Sequence, residues 1–433
     1  MTRRPRPAPR PSQAAEIVEL RVRTMGAQGD GFAEGSGRGQ GHEIMVPLAL
    51  PGERFLARVA GDRGELTELL EASPERVTPP CPHFGPCGGC ALQHWAREPY
   101  LAWKLERVRQ TLARVRLEAP IELAYAAPPG ARRRLALHAR RIGRTVRVGF
   151  KGRRSWDLAP IETCVIARPA LVAALPALAR LAEPFLASPR SAPTLHVTET
   201  LTGLDIDITG VERPGPSADA LAQAAEVASE AGFARVTLAG DPVCQVRRPV
   251  VELGPARVNL PAGGFLQATS GAEAAMAGIL VEAAAGARTV TDLFCGAGAF
   301  AFRLAARARV IAADASAPAV SALSAAIATA PGLKAIEAQT RDLERRPMLT
   351  SELDRVDFAV FDPPRAGAAV QAAELARSRV PRVGAVSCNP ATFARDARTL
   401  ADGGYRLDHV HVVDQFLWSP HIELVALFAR EAA

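Results

Sequence analysis

The chain has 433 residues and a mass of 45.8 kDa, which is too long for one ordinary core and predicts two or three domains. Apolar residues make up 48% and charged residues 22%, no apolar run reaches the roughly 18 residues of a membrane helix, and the N-terminus lacks a signal-peptide core, so we expect a cytoplasmic protein without a membrane partner. Lys and Arg outnumber Asp and Glu by 52 to 45, which suits a polyanionic partner, although a biased composition would give the same balance.

The N-terminal part of the chain divides into a tail and a predicted barrel. Residues 1–14 are rich in Pro and Arg and show no helical periodicity, so we expect a disordered basic tail. Residues 15–75 alternate short apolar runs with Gly-containing turns, which is the pattern of a small antiparallel β-barrel. Such barrels commonly bind oligonucleotides, but many do not, and the fold alone does not decide between the two.

The cysteines point to a metal site rather than to disulfides. The chain has an odd number of them and no export signal. Three form a C-x5-C-x2-C cluster rich in Gly and Pro, namely Cys81, Cys87 and Cys90, whose backbone can wrap around one centre. Cys164 is the candidate fourth ligand, because Cys244 lies in a strand-like segment. Zinc uses the same ligands but usually in two C-x2-C pairs, so the spacing favours an iron-sulfur cluster over zinc.

A helical stretch from Glu98 to Val115 precedes a strongly basic block. Ten cations come before the first acid of this block: Arg132, Arg133, Arg134, Arg140, Arg141, Arg144, Arg147, Lys151, Arg153 and Arg154. The run from Leu135 to Phe150 alternates like a β-hairpin. A solvated charged face is the usual explanation for such a block, but ten cations without an intervening carboxylate favour phosphate contacts. We assign residues 76–257 to a central α+β domain.

Residues 258–433 alternate apolar strands with helical stretches, the pattern of an open α/β sheet. A strand that ends in Asp292 leads into a turn with Gly296 and Gly298, then a helix, then a second strand that ends in Asp314. An acid at the end of the second strand suits ribose hydroxyls. The turn lacks a third glycine and a phosphate-binding Lys, so S-adenosylmethionine fits better than NAD or ATP.

Two further strands of this domain end in polar motifs. DPPRAG begins at Asp362, and SCNP contains Cys388. Ligands of open α/β sheets bind outside the carboxyl ends of the strands, so Asp292, Asp314, Asp362 and Cys388 should line one rim. The Asn-Pro pair after Cys388 stops its strand and argues for a thiol on the rim rather than a packing cysteine. Cys295, in the glycine turn, fits a small filler below the cofactor instead.

Together, DLFCGAGAF, DPPRAG, SCNPATFARD and HIELV resemble the motifs of the RNA 5-methyluridine methyltransferases. The cysteine spacing is similar to that of the iron-sulfur members that methylate 23S ribosomal RNA, and the barrel resembles their TRAM domain. The resemblance spans nearly the whole chain and implies an α/β fold: a Rossmann-like class I methyltransferase domain, an N-terminal OB-like barrel and a central α+β domain. It implies a 4Fe-4S cluster, with zinc as the alternative, on Cys81, Cys87, Cys90 and Cys164.

The resemblance also implies roles for individual residues. Cys388 would add to C6 of uracil so that C5 can attack the methyl group, and Glu423 would remove the C5 proton. The positions that match cofactor contacts are Gln267, Phe294, Asp314 and Asp362, with Asp292, Gly296 and Gly298 in the turn and Asp342 as a weaker candidate for the adenine edge.

The expected partner is RNA, 23S ribosomal RNA in first place, and no feature points to an obligate protein partner. Both faces of a stacked pyrimidine are covered, so we expect the target uridine to be flipped out of a loop or single strand. Transfer RNA as substrate is one alternative. An inactive RNA-binding metalloprotein is another, and the presence of Cys388, Glu423 and Asp362 argues against it.

Overall fold

The structure, a computed structural model, describes residues 16–35 and 43–430, so the basic tail expected over residues 1–14 lies outside the described residues. Contacts divide the described chain into two compact units. The first contains the residues up to Gly85, with Cys90–Trp103 and Trp418–Pro420, and the second contains Pro86–Gly89, Lys104–Leu417 and the residues from His421 onwards. The domain boundaries expected at residues 75 and 257 stay predictions. No helix in the described ranges is both long and apolar enough to span a bilayer.

The first unit contains a closed five-stranded barrel, as its alternating pattern predicted. The strands are β1 (Glu16–Met25), β2 (Asp30–Gly35), β3 (Glu43–Pro47), β4 (Arg54–Ala60) and β5 (Arg63–Glu71). They close in the order β1-β2-β3-β5-β4. Alternate side chains point inward, so Leu20 and Val22 of β1 pack with Phe55 and Ala57 of β4 and are almost completely buried.

In the second unit a seven-stranded sheet forms the central part. Its strands are β7 (Arg134–Ile142), β8 (Thr145–Lys151), β9 (Leu158–Pro160), β10 (Thr194–Thr200), β11 (Gly203–Thr209), β12 (Arg235–Leu238) and β13 (Asp241–Gln245), and its helices are α2 (Pro169–Ala173), α3 (Leu175–Ala182) and α4 (Ala218–Glu230). The strand order is β13-β12-β11-β10-β7-β8-β9. The antiparallel pairing of β7 with β8 confirms the basic hairpin.

The C-terminal part of the second unit is built on an eight-stranded sheet, called the large sheet below. Its strands are β6 (Ile121–Ala126), β16 (Thr289–Leu293), β17 (Arg309–Asp314), β18 (Ile336–Thr340), β19 (Phe358–Phe361), β20 (Arg382–Ser387), β21 (Tyr405–Asp414) and β22 (Glu423–Arg430). A separate hairpin joins β14 (Val250–Leu253) to β15 (Ala256–Asn259). The helices are α5 (Ser270–Ala283), α6 (Ala301–Ala305), α7 (Ala317–Ile327), α8 (Thr350–Leu353), α9 (Ala369–Arg377) and α10 (Pro390–Asp402). Helix α1 (Arg97–Arg114) belongs to the first unit up to Trp103 and to the second unit from Lys104.

The large sheet runs in the order β18-β17-β16-β19-β20-β22-β21-β6 and is parallel from β18 to β20. Helices cover both faces, so its central strands are apolar on both sides. In β19, Phe358 and Val360 pack into one core while Ala359 and Phe361 pack into the other. Because β22 is antiparallel to β20, the first residue of β22 lies at the rim where the parallel strands end. This arrangement confirms the Rossmann-like expectation.

A buried ion pair fixes the end of β21 at this rim. Nζ of Lys104 in α1 lies 2.6 Å from Oδ1 of Asp414, and neither side chain is exposed. Nζ also donates to the carbonyl oxygen of His421 at 2.7 Å. Burial lowers the pKa of Lys104 to about 8, and the charge of Asp414 opposes that shift. The pair therefore holds both ends of the connection between β21 and β22.

We expect Lys104→Met to lower the free energy of unfolding by about 3–5 kcal/mol, because it removes the cation that lies 2.6 Å from the buried carboxylate of Asp414. Replacing both partners, in Lys104→Met with Asp414→Leu, should recover most of that loss. Lys334→Met is the matched control on an exposed lysine and should change stability by about 0.5 kcal/mol or less. Thermal and urea unfolding measure all three proteins, and a single Lys104 variant as stable as the wild type would contradict the expectation.

Candidate active site

The strand ends of the large sheet bring most of the predicted site residues to one rim. Asp292 is the next-to-last residue of β16, and Asp314 is the last residue of β17. Asp362 directly follows β19, and Glu423 is the first residue of β22. The carboxylates of Asp362 and Asp314 are close enough to Asp292 for their charges to raise its pKa, which burial already places well above the usual value. The placement is therefore that expected from the motifs.

Cys388 occupies the connection between β20 and α10. The strand ends at Ser387, and Asn389 caps the helix by accepting from the backbone N–H of Ala391 at 3.1 Å. The Asn389 amide Nδ2 also donates to the carbonyl oxygen of Arg365 at 3.0 Å. This hydrogen bond links the SCNP turn to the DPPRAG loop, and the thiol of Cys388 in the turn is partly buried.

A chain of hydrogen bonds through two glutamine side chains joins the carboxylates of Asp362 and Glu423. Nε2 of Gln267 donates to Oδ2 of Asp362 at 3.1 Å, and Nε2 of Gln415 donates to Oε2 of Glu423 at 2.7 Å. The two glutamine side chains are also hydrogen-bonded to each other, because Nε2 of Gln415 donates to Oε1 of Gln267 at 2.8 Å. Oε1 of Gln415 accepts from the backbone N–H of Ala268 at 2.8 Å, which fixes the orientation of both amides.

The surroundings of Asp362, Glu423 and Cys388 disfavour negative charge on these three side chains. Burial raises the pKa of Asp362 and of Glu423, and the charge of Asp362 raises that of Glu423 further. The hydrogen bonds from Gln267 and Gln415 oppose these shifts. Burial, then Glu423 and Asp362, raise the pKa of Cys388 to about 11, against the opposing charge of Arg365. Cys388 is therefore a protonated thiol at neutral pH.

The glycine turn after β16 forms an open cradle. Oδ2 of Asp314 accepts from the N–H of Gly296 at 2.9 Å, and Oδ1 accepts from the N–H of Ser316 at 2.7 Å. Gly296 has a φ of +53°, and a Cβ placed there would have open space around it, as a ligand-facing backbone requires. At Gly298, with a φ of +99°, a Cβ would lie 2.7 Å from the ring of Phe302. Two different constraints thus favour glycine in this turn.

Three other predicted positions flank the cradle. Phe294 begins the turn with a φ of +64°, a left-handed conformation that is strained for a side chain of this size. Cys295 is buried, and burial with the charge of Asp292 raises its pKa well above the usual value, which agrees with a packing role. Asp342 follows the end of β18 and accepts from the N–H of Glu344 at 3.0 Å, so it lies farther along the same rim.

The sequence did not reveal several residues that build the site. Gln415 follows the last residue of β21, and that position, a polar residue at a strand end, was its only signal. Arg133 is buried, lies 2.6 Å from Oε2 of Glu273, and donates through Nε to the carbonyl oxygen of Gln267 at 3.0 Å. Arg134 donates to the carbonyl oxygen of Leu266 at 2.7 Å. These two arginines hold the segment that carries Gln267.

The expectation that the whole basic block faces phosphate is therefore wrong for Arg133. Its charge is neutralised inside the protein by Glu273, a carboxylate 140 residues away in the sequence. A count of charges along the block could not anticipate this partner, because it comes from α5.

The four predicted cluster ligands are all partly buried. Cys87 and Cys164, in the second unit, pack against the core of the central sheet. Cys81 and Cys90 belong to the first unit. The backbone N–H of Cys81 donates to Oε1 of Gln93 at 3.2 Å. Their role as metal ligands stays a prediction.

Comparisons with known proteins agree on one family. The family model of the tRNA (uracil-5-)-methyltransferases matches residues 257–431. An RNA methyltransferase of Caulobacter vibrioides is 58% identical over 96% of this chain and 100% of its own length. The 23S rRNA (uracil(1939)-C(5))-methyltransferase of Chromohalobacter salexigens is 32% identical over 90% of this chain and 85% of its own length.

A solved structure shares the fold over nearly the whole length. The tRNA (uracil-54, C5)-methyltransferase of Pyrococcus abyssi, in complex with S-adenosyl-L-homocysteine, superposes with a TM-score of 0.70. The comparison covers 96% of this chain and 100% of that one, at 21% identity. With these relatives, and with its rim of carboxylates around one thiol, the chain belongs to the RNA (uracil-5-)-methyltransferase family.

Proposed function

We propose that the protein transfers a methyl group from S-adenosylmethionine to C5 of a uridine in 23S ribosomal RNA, in the cytoplasm. The observation that carries the proposal is the placement of Cys388 beside Asp362 and Glu423, whose charges both act on its thiol. The ribosomal substrate is supported by the 32% identical relative, which is named for 23S rRNA. The similarity to the tRNA enzyme, at 21% sequence identity, supports the fold and not the choice of substrate.

The cradle fits the nucleoside part of the methyl donor. Each Asp314 oxygen accepts one backbone hydrogen bond and keeps a lone pair, so the carboxylate can still accept ribose hydroxyls. The residues that would hold the donor are Gln267, Phe294, Asp314 and Asp362, with Asp292 and the turn glycines Gly296 and Gly298 around them and Asp342 at the adenine edge. When bound, S-adenosylmethionine supplies an electrophilic methyl group.

In the proposed reaction Cys388 makes C5 of uracil nucleophilic. Its sulfur forms a bond to C6, the ring electrons move to give an enolate, and C5 takes the methyl group. The thiol proton must leave in the first step, because a pKa of about 11 leaves almost no thiolate at neutral pH. Asp362 has a raised pKa and is the proposed acceptor of this proton, which leaves Glu423 ionised for the second half of the reaction.

Glu423 is the proposed base for the second half of the reaction. It takes the proton from C5, the electrons re-form the ring double bond, and the C6–S bond breaks to release the Cys388 thiolate, which regains its proton from Asp362. Its carboxylate is almost fully buried, and the hydrogen bond from Gln415 fixes one of its oxygens. A carboxylate with a raised pKa is better suited to this transfer near neutral pH than an exposed glutamate.

The hairpin of β7 and β8 and the barrel are proposed to hold the RNA around a flipped-out uridine. Arg144 and Arg147 lie exposed on the hairpin, where they are available to phosphates. Trp156 is 77% exposed, and Nζ of Lys151 lies 3.8 Å from its ring centroid. An exposed indole beside a cation suits an unpaired base. The barrel is proposed to act as a TRAM domain that contacts the flanking RNA.

We also propose that Cys81, Cys87, Cys90 and Cys164 hold a 4Fe-4S cluster, with zinc as the alternative metal. Four partly buried thiols form a donor set that suits either one, and the C-x5-C-x2-C spacing, with its single C-x2-C pair, favours the cluster.

The first test is the position of 5-methyluridine in cellular RNA. Cells without the gene should lose the modification at one uridine of 23S rRNA, and the wild-type gene should restore it. Cys388→Ala should fail to restore it while still binding S-adenosylmethionine, and Cys244→Ala, which removes a thiol elsewhere, should succeed. Mass mapping of rRNA and tRNA gives the readout: loss from tRNA alone would replace the ribosomal substrate, and no loss in either RNA would refute the function.

The second test is Glu423→Gln. Without the base, the C5 proton stays, so a covalent RNA adduct should accumulate and be visible on denaturing gels. In the free protein at about pH 9, above the raised pKa of Glu423 of about 8, loss of the Glu423 charge should lower the pKa of Cys388, so its alkylation by iodoacetamide should become several-fold faster. Glu337→Gln, on an exposed carboxylate of β18, is the control and should change neither readout. An unchanged alkylation rate together with no adduct would remove Glu423 from both roles.

The third test is the metal content of protein purified without oxygen. A brown protein with about four iron atoms per chain is expected. Cys164→Ser should lower the iron content, whereas Cys244→Ser, which changes a partly buried thiol of β13, should retain it. A colourless protein with stoichiometric zinc that depends on Cys164 would establish the zinc alternative.

A further inference from the structure

An edge of the large sheet, away from its rim, brings together two imidazoles and a carboxylate. His409 and His411 are alternate residues of β21, so their side chains share one face of the strand. Strand β6 pairs in parallel with β21 at this edge, and its Glu122 is the register partner of His411. Asp414 ends β21 three residues after His411, so this group lies about 10 Å along the strand from the rim.

The distances between the three side chains suit a shared metal ion. Oε1 of Glu122 lies 2.9 Å from Nδ1 of His411 and 3.4 Å from Nε2 of His409. All three atoms lie within 4.8 Å of one another. Two ligand atoms that are each about 2.0–2.1 Å from a tetrahedral zinc ion lie roughly 3.4 Å apart. The present spacing therefore needs adjustments of tenths of an ångström, which side-chain rotation supplies.

The imidazoles are prepared to act as ligands. The rings stack at a centroid distance of 4.4 Å, and their side chains are 30% and 15% exposed. Burial, followed by the charge of His409, lowers the pKa of His411. Within the described ranges, neither Nε2 of His409 nor Nδ1 of His411 meets the geometry of a hydrogen bond, and both atoms are buried.

The same group is open to solvent on one side. Glu122 has a side chain that is 58% exposed, which gives an ion a path to the buried ring nitrogens. Glu282 of α5, a helix packed on this part of the sheet, adds a second negative charge that acts on His411. Two negative charges beside two imidazole rings favour a divalent cation.

We propose that Glu122, His409 and His411 form a binding site for a divalent transition-metal ion, with zinc as the ion that best suits two imidazoles and one carboxylate. Water or Glu282 completes the coordination. The ion binds the edge strand β6 to β21. Strand β6 carries Tyr125 against the first turn of α5, where a Cβ on Gly271 would lie 2.3 Å from the Tyr125 hydroxyl oxygen. The site is therefore structural, and it supports the helix that follows Gln267.

The test must distinguish this site from the cysteine thiols. The full-length protein, purified without oxygen, is exposed to graded ZnCl2, desalted and analysed for zinc, and its thermal midpoint is recorded at each concentration. The wild type should bind one more zinc ion per chain than His409→Gln/His411→Gln, and only the wild type should gain thermal stability as that ion binds. His196→Gln, which changes a histidine of the central sheet, is the control and should behave as the wild type.

A second variant protects the test against misfolding. Glu122→Gln changes an exposed side chain and should leave the metal-free midpoint unchanged, yet it should lose the additional ion at a zinc concentration that loads the wild type. Cobalt substitution gives a further check, because a site of imidazole and carboxylate lacks the thiolate-to-cobalt band of a cysteine site. Equal zinc content in the wild type and both variants would overturn the proposal and leave His411 and Glu122 as neighbours on the sheet edge that bind no metal.

Discussion

The carboxylate of Glu423 lies where water hardly reaches it, and the arrangement of the rim depends on that constraint. A buried carboxylate needs donors, and Gln415 supplies one from the end of the neighbouring strand. Gln415 in turn needs its own orientation fixed, which the backbone of Ala268 and the amide of Gln267 provide. Glu423, the segment before α5 and Asp362 are therefore positioned as one hydrogen-bonded unit rather than as separate side chains.

The same burial explains why the thiol is held unreactive. A cysteine between two carboxylates in a partly buried turn favours its protonated form, and a protonated thiol resists oxidation and unwanted alkylation. In the proposed mechanism, reactivity comes with the substrate, when a pyrimidine ring accepts the sulfur and a neighbouring carboxylate accepts the proton. In this proposal, selectivity for the substrate follows from the electrostatics that suppress the thiolate in the free protein.

Two cations inside the second unit neutralise buried carboxylates, and one of them, Arg133, was expected from the sequence to contact phosphate. Arg133 neutralises Glu273 and holds the backbone of Gln267, while Lys104 neutralises Asp414 at the end of β21. Each pair joins segments more than a hundred residues apart, and each is buried, so its geometry is not exchanged for water. The exposed arginines of the hairpin, in contrast, keep their charges on the surface, where phosphate can reach them.

Local patterns determined much of this protein. Alternation of apolar residues predicted the barrel and the hairpin, and special residues at strand ends predicted the rim, because Gly, Pro and Asn mark the points where a chain must leave a strand for a ligand-binding turn. Only the tertiary structure decided which polar residues meet. Gln415 with Glu423, Arg133 with Glu273, and Glu122 with His411 are pairs made by strand register and helix packing. The partners of the last two pairs lie 140 or more positions apart, which no sequence period connects, and Gln415 and Glu423 meet because the chain turns back between β21 and β22. The sequence determines the chemistry of each residue locally. The fold determines its partner, because strand register and helix packing decide which side chains meet and which charges are buried together.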